Sequence, residues 1–561
     1  MAARTKSEIL HNVTATYLAS IPNPKNPPTP REIESEILER IYIEYKLEND
    51  AKSDKSAKWR YPDELHPAQI AQILSYLYTI RRISCSGENA DSEFDLLAIY
   101  HETGIDAGIY TTSEGDFRTL ARQYDYRLTS SGFEEVMSNL KDMVPHVNRC
   151  LDPDLIAVNN GIFDYSTKTL SDFNPDTVFL TKSRVNYNPK AKNITIHNDD
   201  DGTDWDVESW MNDLSDDKEI VDVLWQILGA IIRPNVRWNK SAWLYSETGN
   251  NGKGTLCELM RSLCGAGSYA SIPIADFGRD FMLEPLTRAT AVIVDENDVG
   301  TYVDRAANLK AVITNDVIQI NRKFKVPIAY QFYGFMVQCL NEFPRIKDKS
   351  DSFYRRQLFI PFDKCFTGHE RKYIKNDYLH RKEVLEYVMY KVLNMNYYTL
   401  SEPAACKNIL DEYKSYNDPI RQFFEEMSPL FQWDLLPFGF LYALYQSWFK
   451  KNAPNGGLVG KQTFINDIVN ITKNDDNWFC VDKNAKVKTS NRMDAPEHLI
   501  VQYGLTDWMN PMYRGGDTDK ICTPALQTSY RGLQRCKNSP AFAIGTDDNN
   551  ADPPVTNDTD E

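Results

Sequence analysis

The sequence contains no Cys-x-x-Cys pair and no histidine at ligand spacing, so its 10 scattered cysteines indicate neither a disulfide framework nor a zinc site. Buried free thiols are expected. A His-Glu-x-x-His helix and a Gly-x-Ser-x-Gly elbow are both missing, which removes the common metalloprotease and serine-hydrolase chemistries. Long apolar runs are missing too. The longest, around Val223 to Ile232, falls far short of the ~18 residues that span a bilayer, and nothing apolar follows the N-terminus. A cytoplasmic chain with no membrane partner is expected. Positive charge is also scarce overall: a formal net charge of -16 repels a polyanion at long range.

The charge is unevenly placed. Between Ala307 and Gln357 nine basic residues stand against four acidic ones, whereas every charged residue beyond Gly545 is an acid. Any nucleic-acid contact should therefore be local and enclosed. At 561 residues the chain is too long for one hydrophobic core and predicts three or four domains.

The most informative stretch runs from Ser241 to Leu256, a short apolar strand, a Gly/Asn loop and a helix start. Gly249, Asn250, Asn251 and Gly252 tolerate the backbone angles that aim successive N–H groups at one anion, and the helix adds its positive end. Lys253 then reaches the β- and γ-phosphates of a nucleotide. Glu247 stands where such a loop usually has its first Gly, and Gly254 where it has a Mg²⁺-binding hydroxyl. Thr255 is the nearest hydroxyl.

Downstream, the apolar run Ala289 to Val294 reads as a buried parallel strand delivering Asp295 and Glu296 at its end, one to hold a Mg²⁺ shell and one to polarise water. A third strand, Gly334 to Leu340, ends in Asn341, suited to orient a water or a phosphate oxygen. Arg355 and Arg356 could neutralise charge on a transferring phosphoryl group, although alone they read as a solvated pair. Ile318 to Phe332 predicts a hairpin with Lys323, Phe324 and Lys325 near its tip, a basic turn that could track a phosphate backbone and stack on a base. The acidic run Asp199 to Asp206 reads as a solvated linker, since no strand is expected to bracket it. Towards the C-terminus, a helix over Tyr442 to Lys451, a Gly-rich turn over Asn455 to Gly460, a helix over Gln462 to Val469 and two short strands about Asp482 give the order of a winged helix.

Taken in order, these parts resemble the superfamily III helicases of small viruses, phages and plasmids. Asn251 to Thr255, Val294 to Asn297, Lys310 with Thr314 and Asp316, Asn341 to Pro344 and Arg355-Arg356 look most like the phage and plasmid primase-helicase family, whose relatives include the poxvirus primase-helicase. The resemblance extends upstream to Asp154 to Phe163, similar to that family's N-terminal helicase-associated domain, and downstream through Asp411 to Tyr413 and Asp418-Pro419. It implies a homo-hexameric AAA+ ring that binds ATP and Mg²⁺ between subunits, with Thr255 and Asp295 near the metal, a trans-acting arginine, and hairpins in a channel that holds single-stranded DNA. About ninety residues precede it, too few for the polymerising primase domain that many relatives carry, so that domain is expected to be absent.

The expected fold is multidomain α/β: an α+β, mainly helical N-terminal helicase-associated region over 1–200, a helical collar with a central AAA+ P-loop ATPase of parallel strands over 205–365, a helical lid and winged-helix-like domain over 366–540, and a disordered acidic tail over 541–561. The expected function is ATP-dependent DNA unwinding for replication of a phage, plasmid or mobile element in a bacterial cytoplasm, with a primase or other replication proteins as partners and duplex origin DNA as a further ligand of the C-terminal domain. Two alternatives stay open: a primase-helicase with a degenerate primase, and a non-motor, ATP-dependent origin-binding initiator.

Overall fold

Thr29 opens the longest helix, Pro30–Asp50, with a capping box: its side chain accepts from the Glu32 N–H while the Glu32 carboxylate accepts from the Thr29 N–H. Such a cap stabilises a helix by about 1 kcal/mol. Ile33, Ile37, Ile41 and Tyr45 form its buried stripe, one face of a 3.6-residue repeat. The computed structural model describes residues 4–84, 95–323, 325–368, 371–452 and 458–536. They fall into two units, Met1–Leu410 and Asp411–Glu561. This boundary lies later than the expected division near 365, and the helix Lys382–Asn394 joins the core of the first unit. The acidic tail over 541–561, Phe324, and residues 453–457 around the expected Gly-rich turn lie outside the described residues.

The region 68–147 carries a four-stranded sheet as well as helices. Its order is Tyr110–Thr111, Leu96–Tyr100, Ile80–Ile83, His146–Val147, within a stretch expected to be mainly helical. Runs of two to five residues are too short for periodicity to separate strand from buried helix. The acidic run also differs from expectation. Strands Ile196–Asn198 and Thr203–Trp205 bracket it as a hairpin, and its carboxylates have local work. Asp201 accepts from the Thr203 N–H and the Tyr373 hydroxyl, Asp204 faces His197, and Asp206 caps the helix Val207–Asp213.

The centre of the first unit is a five-stranded, all-parallel sheet in the order Tyr269–Ala270, Ala291–Val294, Phe335–Leu340, Ser241–Tyr245, Gln357–Pro361. Every residue of its four longer strands is buried, as a sheet covered on both faces requires. The helices Lys218–Ala230, Lys253–Cys264 and Lys382–Asn394 share its core. Phe335–Leu340 is inserted between Ser241–Tyr245 and Ala291–Val294, so the three loops that leave their C-terminal ends lie side by side.

In the second unit the order along the chain is helix Pro419–Met427, strand Leu435–Pro437, helices Phe438–Asn452 and Lys461–Ile471, then strands Trp478–Phe479 and Gly532–Arg535. The last strand lies between the other two. The two strands expected about Asp482 do not pair with each other. Trp478–Phe479 pairs with Gly532–Arg535, and Val487–Lys488 with Ser529–Tyr530, because the return strands come some forty to fifty residues later. Among the described residues no helix is long and apolar enough to cross a membrane.

Candidate nucleotide site

The loop after Ser241–Tyr245 uses left-handed backbone at two positions only, Asn250 (φ 55°) and Gly252 (φ 88°), and Gly252 caps the helix Lys253–Cys264. Glu247 is not among the strained positions, which explains why a glycine is dispensable there; its carboxylate accepts from the Tyr245 hydroxyl at 3.1 Å. Gly249 needs no unusual angle either. The space beside it is open, with nothing within 4 Å of where a Cβ would stand. The buried Asn251 folds back on the loop, its amide donating to the Thr248 carbonyl and its Oδ1 accepting from the Lys253 N–H.

Lys253 is 5% exposed, and its ammonium donates to the Leu340 carbonyl at 2.9 Å, Asn341 Oδ1 at 2.8 Å and the Ser246 carbonyl at 3.3 Å. Burial lowers its pKa, because the protein interior solvates the cation less well than water. Tyr245 stacks on Phe343 at 4.2 Å, which holds the turn carrying Asn341 against the strand Ser241–Tyr245. Lys253 and Asn341, far apart in sequence, thus meet at the mouth of the sheet.

Asp295 leaves the end of Ala291–Val294 with its side chain 34% exposed, and a Cβ on Gly254 would lie 2.9 Å from its Oδ1. The missing side chain at 254 therefore lets the acid approach the first turn of the helix. Arg261 (3.8 Å) and Lys375 (4.0 Å) flank the same carboxylate, and no motif in the sequence marks either of them. Glu296 is exposed beside it, and Thr255 is half-buried in the helix's first turn. Asn297 also escapes sequence reasoning as a site residue in its own right. It is buried, donates to Gln338 Oε1 (3.0 Å) and the Cys339 carbonyl (3.1 Å), and accepts from the Ile274 N–H, which locks the acid-bearing turn to the neighbouring strand.

Cys257 and Cys339 bring their sulfurs to 3.3 Å beneath the loop, and the mutual contact with burial pushes the Cys339 thiol up. Cys339 therefore stays protonated, and both side chains pack in the core.

The structure separates the two arginines. Arg356 turns its guanidinium back onto the short preceding helix, Asp351–Tyr354, donating to the Ser352 carbonyl and to Ser352 Oγ (2.7 Å), while Arg355 is exposed. The expected hairpin forms from Val317–Arg322 and Lys325–Gln331 with Lys323 exposed in its turn, and the backbones of Arg322 and Lys325 pair across it.

The arrangement offers a loop with left-handed backbone at Asn250 and Gly252, a buried cation, a carboxylate at the helix start and a neutral amide, the group types that hold and polarise a phosphorylated ligand. Residues 244–356, which contain almost all of it, match a family described as of unknown function, DUF5906. Residues 116–216 match a family described as D5 N terminal like, and residues 415–501 one described as Poxvirus D5 protein-like. No curated protein matches the chain. Among solved structures, an A-form apo structure of the NrS-1 C-terminal region is 15% identical with a TM-score of 0.37, covering 73% of this chain and 84% of that one. A second apo structure of the same region is 14% identical with a TM-score of 0.38, covering 70% and 94%.

Proposed function

We propose, from the likeness of residues 116–216 and 415–501 to D5-like families, that the chain has a replicative role of the helicase or primase type, and that it is an ATP-dependent, ring-forming DNA helicase. The first unit is then an AAA+ motor of six copies around one DNA strand. The second, with strands ordered first, third, second around two helices, is a winged-helix-like DNA contact.

The observation that carries this reading is the convergence of Lys253, Asn341 and Asp295 on one loop, with open space at Gly249. In the proposed reaction, backbone N–H groups of 249–254 hold the triphosphate of ATP, and Lys253 exchanges its carbonyl partners for β- and γ-phosphate oxygens. Asp295, whose carboxylate lies against the helix turn that carries Thr255, would with that hydroxyl hold a Mg²⁺ ion, a hard cation that takes oxygen ligands and retains waters. That ion supplies charge neutralisation across the phosphates when bound. Glu296 draws the proton from the attacking water, and Asn341 orients that water. Arg355, not Arg356, reaches into a neighbour's site, because Arg356 is already engaged with Ser352. The Lys323 hairpin follows the DNA backbone in the channel.

The test is strand separation on a forked duplex by the full chain, with ATP and Mg²⁺, alongside imaging of the assembly. Unwinding by a six-fold ring supports the motor. DNA binding and ATP-dependent assembly without strand separation would replace it with the initiator, and primer synthesis from labelled nucleotides would restore a primase.

A further inference from the structure

The second unit holds a positive cleft. After Phe479 the chain leaves the three-stranded sheet and returns only at Gly532, and this excursion folds back over the N-terminal end of the helix Lys461–Ile471. A cavity of about 270 Å³ remains between them. Four cations line it: Lys461 from the helix, Lys483 and Lys486 from the outgoing limb, and Arg531 from the returning one. Among the described residues no carboxylate lines it. In a chain of net charge -16 this is a segregated patch, which attracts an anion locally while the rest of the surface repels one.

The cleft is built rather than loosely draped. Lys483 is anchored on Asn466 Oδ1 at 2.8 Å, and the Arg531 carbonyl accepts from the Phe438 N–H at 2.9 Å. Asp482, next to the cations in sequence, accepts from the Asn484 N–H of its own turn. Two rings complete the lining. Trp508 and Tyr530 lie 5.8 Å apart, Trp508 is backed by Phe440 and Trp433, and the Tyr530 hydroxyl accepts from the Gln527 N–H. Cations alone suit any polyanion. Cations beside half-exposed, rigid aromatic rings suit a ligand with a phosphate at one end and a flat base at the other.

We propose that this cleft seats one nucleotide of a DNA strand, its phosphate against Lys461, Lys486 and Arg531 and its base against Trp508 and Tyr530. The choice of DNA rests on the reading of the chain as a DNA-acting motor; the nucleotide chemistry does not. The seat lies on a different unit from the Lys253 loop, so the two are separable by experiment.

The experiment uses the full chain without ATP and a single-stranded oligonucleotide carrying 5-iododeoxyuridine, crosslinked by light and mapped by peptide mass spectrometry. Crosslinks should fall at Trp508 or Tyr530. The triple variant Lys461→Gln/Lys486→Gln/Arg531→Gln changes only exposed side chains. It should weaken this crosslink about tenfold or more and lower the salt slope of binding by about one, for the one phosphate that is no longer neutralised, while basal ATP hydrolysis is unchanged. Wild-type crosslinks only outside the cleft, unchanged crosslinking in the triple variant, or equally good displacement by polyglutamate would each overturn the nucleotide seat. Crosslinks at Trp508 without any ATP hydrolysis would sink the motor and leave the seat standing; normal unwinding with no crosslink there would do the reverse.

Discussion

Lys253 Nζ donates to Asn341 Oδ1 at 2.8 Å, a bond that joins the helix Lys253–Cys264 to the turn after Phe335–Leu340. The pair shares one ligand region, yet the two groups contribute differently. Lys253→Ala removes the buried cation of the loop and also the cost of burying it, so the fold should survive while ATP hydrolysis falls by about 10²-fold or more. Asn341→Ala should keep ATP binding and lose turnover, since an amide that orients water acts in the transition state. ATP affinity and single-turnover rates, measured on both variants, separate the two roles. The pH dependence has a definite sign. Burial lowers the Lys253 pKa, and a bound triphosphate stabilises the cation, so ATP affinity should fall as pH rises through that lowered value. Lys253→Ala should flatten this alkaline limb.

The hairpin makes a prediction about coupling. Lys323 is exposed in the turn and Lys325 begins the returning strand, at a distance along the chain from the Lys253 loop. Replacing both with Ala should leave basal hydrolysis intact but reduce DNA stimulation and unwinding, with the salt slope of binding lowered by about two. Unchanged unwinding across a salt series would mean that the hairpin is merely solvated.

Much of the first unit's centre was legible because its strands are continuous apolar runs ending in chemically distinctive residues: Lys253 after a Gly/Asn loop, Asp295 and Glu296 after Val294, Asn341 after Leu340. Their spatial order was not legible. Local patterning says nothing about which parallel strand lies between which others, so the insertion of Phe335–Leu340 beside the phosphate-loop strand, and with it the Lys253–Asn341 bond, needed three dimensions. Asn297, Arg261 and Lys375 were missed for a related reason: each acts through a partner distant in sequence. The hairpin at 196–205 was hidden by its acids, whose local hydrogen bonds look like solvation when only composition is visible. In the second unit the helices were clear, but a strand of two residues whose partner follows some fifty residues later leaves no periodic trace.

Glu497 gives the second unit its own pH signature. It is fully buried and accepts from the Gln432 N–H at 2.8 Å and the Trp433 N–H at 3.4 Å, yet burial outweighs these bonds and raises its pKa. The folded form therefore holds the proton more tightly than the unfolded one. Its contribution to stability is fully present below the unfolded value of about 4.3 and is lost as pH rises through the raised folded value. Glu497→Gln keeps one carbonyl acceptor and removes the charge. At neutral pH it should raise the unfolding midpoint of this unit by about 2 to 4 °C and remove the wild-type slope across that window. Hydrogen exchange at the Gln432 and Trp433 amides reads the effect locally; faster exchange in the variant at neutral pH would show that the carboxylate's hydrogen bonds outweigh its desolvation.

The arginine pair yields the sharpest test of a shared site. The Arg356 guanidinium is bound to Ser352 of the preceding helix, Asp351–Tyr354, so Arg356→Ala should mainly destabilise, loosening the turn that leads into Gln357–Pro361. Arg355 is exposed. Arg355→Ala should fold normally and, if the residue acts across a subunit boundary, hydrolyse ATP about 10³-fold more slowly. A Lys253→Ala subunit is dead in its own site but can still present Arg355 to a neighbour, whereas an Arg355→Ala subunit keeps its loop and lacks the donor. Mixing the two inactive proteins should restore part of the hydrolysis, and doubling the amount of either alone should not. Mixed assemblies that form yet stay inactive, or an Arg355→Ala protein with normal turnover, would place this arginine outside the reaction and leave each subunit with a complete site of its own.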